Sequence, residues 1–243
     1  VKVGDGKEIT LHEETNYPFE EDIAFTVSTG EKVAFPFYLR IPSWTQKAEV
    51  RVNGKKVSAA PVAGKYLCIN REWANGDRVE LTLPMSLSMR TWQVNKNSVS
   101  VDYGPLTLSL KIAEKYVEKD SRETAIGDSK WQKGADPQKW PTTEIYPDSP
   151  WNYSLVLDKK EPLKNFKVIR KSWPADNYPF TVTSVPLEVK AIGRPVPEWK
   201  IDETGLCGVL PEEDAVKGDK EEITLIPMGA ARLRISAFPN TKE

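Results

Sequence analysis

Val33-Ala34-Phe35-Pro36-Phe37-Tyr38-Leu39-Arg40-Ile41-Pro42-Ser43-Trp44 sets Val33, Phe35, Phe37, Leu39 and Ile41 on one parity and Tyr38 and Arg40 on the other. That is the period-two pattern of a strand with one face turned inward. Pro42 has no N–H to give to a ladder and ends the run. Ala48, Val50 and Val52 restart the alternation, and Asn53-Gly54 follows. Both central residues of a type I′ turn need positive φ, which asparagine tolerates and glycine accepts, so Val50 to Val57 is predicted to be a hairpin.

The pattern continues outward in both directions. Tyr66 to Ile69 reads as a short apolar strand and Asn75-Gly76-Asp77 as a turn. Val79, Leu81, Leu83 and Met85 then alternate against Arg78, Glu80 and Thr82. Val99, Val101 and Tyr103 are odd-numbered, whereas Leu106, Leu108, Leu110 and Ile112 are even. A bulge or strand-switching corner reverses the apolar face in this way, so a sandwich corner is predicted at Gly104-Pro105. The expected core is Phe35, Phe37, Leu39, Val50, Val52, Val79, Leu81, Leu83, Leu106, Leu108 and Leu110, with Tyr38, Arg40, Arg78, Glu80 and Thr107 facing out. Upstream, Val3, Ile9 and Leu11 surround a Gly4-Asp5-Gly6 turn, and Ile23, Phe25 and Val27 alternate before a turn at Ser28–Glu31.

Downstream of Lys111 the alternation dissolves into a long connection, with an aromatic loop over residues 118–153. Short strands are predicted after it at Leu155–Leu157, Phe166–Ile169, Phe180–Val182, Leu187–Ile192, Trp199–Ile201, Ile223–Ile226 and Leu233–Phe238. No sustained helical periodicity occurs. The fold class is all-β, with two antiparallel β-sandwich units.

The motifs Leu39-Arg40-Ile41-Pro42-Ser43-Trp44, Val52-Asn53-Gly54, Trp73-Ala74-Asn75-Gly76-Asp77, Leu83-Pro84-Met85 and Gly104-Pro105-Leu106 occur in this order. With Trp151-Asn152-Tyr153, Ile223–Gly229 and Arg232-Leu233-Arg234-Ile235, the chain resembles the C-terminal β-sandwich region of glycoside hydrolase family 127, the β-L-arabinofuranosidase-like enzymes. Tyr103 stands where members often carry arginine. The resemblance implies a nested arrangement, with residues 16–113 as one sandwich and residues 114–243 as the other, completed by a strand within residues 1–15. It also implies that catalysis belongs to an (α/α)6 barrel absent from this chain, through a zinc-bound cysteine nucleophile with cysteine and glutamate ligands. No position here matches that motif. The expected partner is therefore the catalytic barrel of a parent chain, the zinc site lies there, and this chain holds no cofactor. The substrate implied is a plant-type glycan containing arabinofuranose, which points to a periplasmic or extracellular setting. Val1 in place of a methionine reads as a piece of something longer.

The residues themselves agree with a non-catalytic reading. Lys and Arg number 34 against 35 Asp and Glu, for a formal net charge of -1, so no basic footprint for nucleic acid exists. No run approaches the roughly 20 apolar residues of a membrane span. The sole histidine, His12, leaves no histidine-based triad or dyad unless it meets a nucleophile itself, and it is expected on the solvent side of an early strand. Cys68 and Cys207 are isolated in sequence and are expected to be buried free thiols. Glu20-Glu21-Asp22, Glu212-Glu213-Asp214 and similar clusters read as solvated turns, not as the paired carboxylates of a glycosidase. The glycines at Gly193 and Gly205–Gly208 lack the strand-to-helix setting of a phosphate loop. No catalytic residue is recognised in this chain.

The aromatic residues remain. Trp44, Trp73 and Trp92 are expected in core or rim packing. Trp131, Trp140, Tyr146 and Trp151, with Glu144 and Asp148 beside them, would contact either a glycan or another surface of the protein. Anchoring is the expectation, with Trp140, Tyr146 and Trp151 buried. The functional expectation is a non-catalytic accessory region of a glycoside hydrolase, with an autonomous carbohydrate-binding module as the alternative.

Overall fold

The structure, a computed structural model, describes residues 1–120, 136, 138–212 and 218–242. Among these residues the regular structure is β throughout, apart from short 3-10 turns at Gly4–Gly6 and Met228–Ala230. Two compact units are present. One comprises Val1–Ser88 and Asp102–Leu106, the other Met89–Val101 and Thr107–Glu243.

In the first unit, β1 (Lys2–Val3) and β2 (Lys7–Glu8) pair across the Gly4–Gly6 turn. The strands β3 (Thr10–Thr15), β4 (Asp22–Ser28), β6 (Glu49–Val52), β7 (Lys55–Lys56) and β9 (Arg78–Thr82) form a five-stranded antiparallel sheet in the order β3-β4-β9-β6-β7. A separate two-stranded ribbon pairs β5 (Val33–Arg40) with β8 (Tyr66–Trp73), Val33 opposite Trp73 and Arg40 opposite Tyr66. The alternation that is visible in the sequence decides the rest. Val27, Val50, Val52, Val79 and Leu81 from the sheet and Val33, Phe35, Phe37, Leu39, Leu67 and Trp73 from the ribbon share one buried core. Full burial of each such side chain contributes about 1.5–3 kcal/mol.

Two local devices fix this core. The indole N–H of fully buried Trp73 donates to the Phe35 carbonyl at 2.9 Å, with the Phe35 and Phe37 rings 5.6 and 5.7 Å away and the Arg71 guanidinium 5.0 Å from the ring centre. Asn53 and Gly54 adopt φ of 51° and 76°, as the hairpin reading requires. The Asn53 amide also donates to Asp77 at 2.8 Å and accepts from the Arg78 N–H at 2.8 Å, tying two turns together. Burial opposes the Asp77 charge, but the Ala74 N–H, the Asn53 amide and the nearby Arg71 outweigh it and hold the carboxyl below its ordinary range.

The second unit is built on an eight-stranded sheet. Its strands are β10 (Leu87–Trp92), β11 (Ser98–Tyr103), β12 (Leu106–Leu110), β15 (Tyr153–Leu157), β16 (Lys167–Arg170), β17 (Leu187–Pro195), β18 (Glu221–Pro227) and β19 (Asn240–Lys242). The order is β10-β11-β12-β18-β17-β15-β19, with β16 also on β17, and β19 runs parallel to β15. Outside this sheet, β13 (Glu114–Lys119) and β14 (Thr142–Pro147) form a hairpin of their own. Strand β15 is buried at every position and β11 at all but Asp102. On the second face of β11 the buried positions are serines. Ser100 accepts the Trp92 indole N–H at 2.8 Å and donates to the Ser236 carbonyl at 2.6 Å, so its hydroxyl is satisfied away from water.

Several expectations are corrected. Gly104-Pro105 is a tight turn joining β11 to β12, neighbours in one sheet, and not a corner between sheets. A two-residue turn sets residue 103 beside 106, so odd positions on one strand share a face with even positions on the next. The connection after Lys111 contains β13 and β14. Residues 1–15, which the nested arrangement would give to the second sandwich, pair in the first unit through β3 and β4. Phe180–Val182, Trp199–Ile201 and Leu233–Phe238 are not strands. Trp199, Ile235 and Phe238 are buried plugs, with Ile201 and Phe238 making single bridges. The expected core is buried except Leu106, which is half-buried. Cys68 and Cys207 are both exposed. Cys68 shares its parity with Tyr66 and Asn70 on the outward face of β8, opposite Tyr38.

Candidate functional site

The stretches Glu114-Lys115-Tyr116-Val117-Glu118-Lys119 and Thr142-Thr143-Glu144-Ile145-Tyr146-Pro147 pair with Glu114 opposite Pro147 and Lys119 opposite Thr142. Opposed residues share a face. One face therefore carries Glu114, Tyr116, Glu118, Thr143 and Ile145, and the other Lys115, Val117, Lys119, Thr142, Glu144 and Tyr146. Each face holds a tyrosine whose hydroxyl donates to the glutamate two residues before it: Tyr116 to Glu114 at 2.6 Å, and Tyr146 to Glu144 by a short bond. These bonds, followed for Tyr146 by the glutamate's charge and for Tyr116 by burial, push both phenols above their usual range. Glu114 also accepts the Arg232 N–H at 3.0 Å, and Glu144 has Lys119 at 3.7 Å.

The residues singled out from sequence separate into three settings. Trp140 is 71% exposed and Tyr146 45% exposed, so neither is the buried anchor expected of it. Tyr146 lies on β14 and Trp140 in the bend just before it, and β13 and β14 pair only with each other. Trp151 is half-buried and packs edge-on against buried Trp199 at 5.2 Å. The Trp199 indole N–H reaches the Gly208 carbonyl, and the Asn152 amide bonds the Val196 and Trp199 carbonyls. It is a packing residue. Asp148 closes the hairpin base through its N–H to the Ala113 carbonyl at 2.7 Å, and Ser149 accepts the Ala113 N–H. Trp131 lies outside the described residues. Tyr116 was missed, although Lys115–Lys119 and Thr143–Pro147 each place an aromatic two residues from a glutamate.

A ring beside a carboxylate and a lysine offers an apolar surface together with an acceptor and a donor, the set that recognises hydroxyl-bearing rings. Elsewhere, a cleft of about 630 Å³ over the outer face of the five-stranded sheet is lined by Glu14, Asp22, Glu49, Arg51, Arg78 and Glu80. Arg78 bonds Glu14 at 2.6 Å, and this hydrogen bond, with the arginine's charge, lowers the Glu14 carboxyl. A carboxyl lowered in this way is ionised at neutral pH and has no proton to donate as a general acid. Among the described residues no group of three or more His, Cys, Asp or Glu is arranged to hold a metal ion. His12 is exposed on β3, Cys68 lies in one unit and Cys207 in the other. The zinc ligand set implied by the resemblance does not fit these residues, and no step through zinc is drawn for them.

Residues 1–85 match the family model described as Beta-L-arabinofuranosidase, GH127 middle domain, whereas the sequence motifs pointed to the C-terminal region. No curated protein sequence matches the chain. Among solved structures it is similar to one described as a glycoside hydrolase, at 20% identity and TM-score 0.60, covering 98% of this chain and 33% of that one. It is likewise similar to a GH127 β-L-arabinofuranosidase from Geobacillus stearothermophilus T6, at 22% identity and TM-score 0.59, covering 98% of this chain and 31% of that one. A GH127 β-arabinofuranosidase gives 20% identity and TM-score 0.58, covering 98% and 32%. The chain spans about a third of the length of the solved chains it matches. It has the fold of a segment of those proteins, and its first 85 residues carry the sequence pattern of the GH127 middle domain.

Proposed function

We propose that this chain is the non-catalytic β-sandwich region of a larger glycoside hydrolase of the GH127 kind, acting on arabinofuranose-containing glycans. It supports and orients a helical catalytic barrel that holds the zinc site. The observation that carries the reading is the coverage: the fold accounts for 98% of this chain but only 31–33% of chains described as glycoside hydrolases. In this reading the two units are both sandwiches and the parent enzyme works outside the cytoplasm. The test is turnover of an aryl β-L-arabinofuranoside. The 243-residue chain alone should release no reporter above the buffer rate, whereas a longer gene product should lose activity or solubility when this region is deleted. Release by the chain alone, abolished by one point substitution within it, would overturn the reading.

A second reading, an autonomous carbohydrate-binding module, is favoured by one observation, the exposure of Trp140 and Tyr146 on the β13–β14 hairpin. It requires Trp140→Ala and Tyr146→Ala to weaken retention on a glycan while leaving the fold intact.

A further inference from the structure

The loop between β16 and β17 is pinned at its base, where the Lys171 N–H donates to the Pro186 carbonyl at 2.8 Å. Loops of this size whose ends meet and whose interior is filled by their own groups are frequently functional. Pro179 and Val185 are the buried plugs. Tyr178 and Phe180 flank Pro179 and are thereby turned outward, 49% and 43% exposed, their rings edge to face at 5.9 Å.

The backbone beneath the rings is braced. Asn177 sits at φ 56°, a region asparagine tolerates better than most residues. Its N–H donates to the Pro174 carbonyl at 3.0 Å and its side-chain oxygen accepts the Trp173 indole N–H at 2.7 Å. Asp176 accepts the Tyr178 N–H at 3.1 Å. Ser184 donates to the Tyr178 carbonyl at 2.6 Å, and the Val185 N–H returns to the Thr181 carbonyl at 3.1 Å. A ligand meeting these rings finds their backbone already ordered, which lowers the entropic cost of binding.

The size and chemistry of the patch select its occupant. Aromatic side chains present roughly 150–250 Å² each, so two rings about half exposed offer about 200 Å². A stable protein interface takes roughly 800 Å² per partner, about four times as much. One or two sugar rings fit. The polar side chains next to the rings in sequence are the Asp176 carboxylate, the Asn177 amide and the Thr183 hydroxyl, and none of these three carries a positive charge that would select an acidic ligand. A neutral sugar presents the complement, a C–H face for a ring and hydroxyls for a carboxylate and an amide.

We propose that the Tyr178–Phe180 loop is a binding site for neutral saccharide chains, separate from the β13–β14 hairpin. The site stands on the loop's geometry, while the choice of arabinofuranose polymers among the probes rests on the function proposed above. The experiment is native affinity electrophoresis of the 243-residue chain in gels containing linear arabinan, arabinoxylan or dextran. At least one of these should retard the chain, and Tyr178→Ala and Phe180→Ala should each weaken the interaction at least tenfold with unchanged circular dichroism, while Tyr66→Ala, at an exposed aromatic of the first unit, leaves it as it was. Absence of retardation in all three gels overturns the proposal, as does retardation of both loop variants equal to that of the wild type. Should a variant fail to fold, amide shift mapping of the wild-type chain with an arabino-oligosaccharide decides the matter. Shifts centred on residues 176–184 support the site, and shifts confined to the hairpin or elsewhere overturn it. Failure of the accessory-region reading would appear in the turnover assay and leave these gels unaffected.

Discussion

Replacing Trp73 by phenylalanine removes a defined set of interactions from the first unit. The indole N–H bond to the Phe35 carbonyl at 2.9 Å is lost, at a net cost of about 1 kcal/mol. The ring shrinks by roughly 40 Å³ in a fully buried setting, which at roughly 24 cal/mol per Å³ adds about 1 kcal/mol. The Arg71 guanidinium, 5.0 Å from the ring centre, would retain a weaker aromatic face. Trp73→Phe is therefore expected to cost about 2 kcal/mol, and Trp73→Ala about 3–5 kcal/mol. Urea unfolding followed by far-ultraviolet circular dichroism reads the difference. With m near 2 kcal/mol/M, the midpoint for the first unit should fall by about 1 M in Trp73→Phe. Trp140→Phe, at an exposed position, is the control and should move it little. A Trp73→Phe cost below about 0.5 kcal/mol, or a Trp140→Phe cost as large, would refute the assignment of Trp73 as the keystone of this core.

Further outcomes are expected from other positions. Gly104 has φ 54°, and a Cβ there would lie 2.6 Å from Met85 Cγ, so Gly104→Ala should destabilise by about 1–3 kcal/mol. Met85→Ala in the same chain should recover the steric part only, as a thermal-melt cycle would show. Because the Asp77 pKa is depressed on folding, its contribution is present above the ordinary aspartate pKa and is lost as pH falls through the folded value. The stability gap between wild type and Asp77→Asn should thus close in acid, measured by urea midpoints from pH 7 down to pH 2. Tyr153, pushed up to about 12 first by burial and then by its bond to Glu221, should appear as a late phenolate step at 295 nm. Phe at this position should remove that step. Since the unfolded phenol ionises first, the Tyr153 contribution to stability is intact below pH 10 and declines as pH rises from there toward 12.

The parts of the fold legible from sequence were those where one face of a strand is wet. Val33 to Ile41 alternates strictly because Tyr38 and Arg40 face water, and Asn53-Gly54 announces its turn by a conformation few other pairs accept. Where both faces are buried, as in β11, serines occupy the second face, so the sequence alternates as though that face were wet and its burial is not legible. The Gly104-Pro105 reversal is ambiguous in sequence, since a tight hairpin and a sheet-switching corner flip parity alike. The β13–β14 hairpin was invisible for the opposite reason. With no buried face, its apolar residues Tyr116 and Val117 fall on adjacent positions and carry no period. The candidate site suffered most from this. Trp73 and Trp140 are the same residue type, and only the ladder that Leu67 and Ile69 establish ahead of Trp73 distinguishes a core ring from an exposed one. The expected strand at Phe180–Val182 rests on apolar Phe180 and Val182, whereas Pro179 and the serine and threonine hydroxyls of that loop make a turn-rich scaffold.

The ribbon of β5 and β8 also bears on how the protein behaves when concentrated. The Ile41 N–H donates to the Lys65 carbonyl, so the odd-numbered N–H groups of β5 point toward β8 and the even-numbered positions point to its other edge. No described strand pairs there. Gly4 sits against the Ala34 carbonyl on that edge, so close that a Cβ would overlap it. The next outward position is Pro36, which has no hydrogen to give. An incoming strand from a second molecule would find one carbonyl blocked and the adjacent donor missing, and the row of contacts needed to start a stacked assembly could not form in sequence. Pro36 tolerates the folded ladder at little cost and opposes polymerisation through this edge, so the strand that defines the core also carries a guard against strand addition at its own open side.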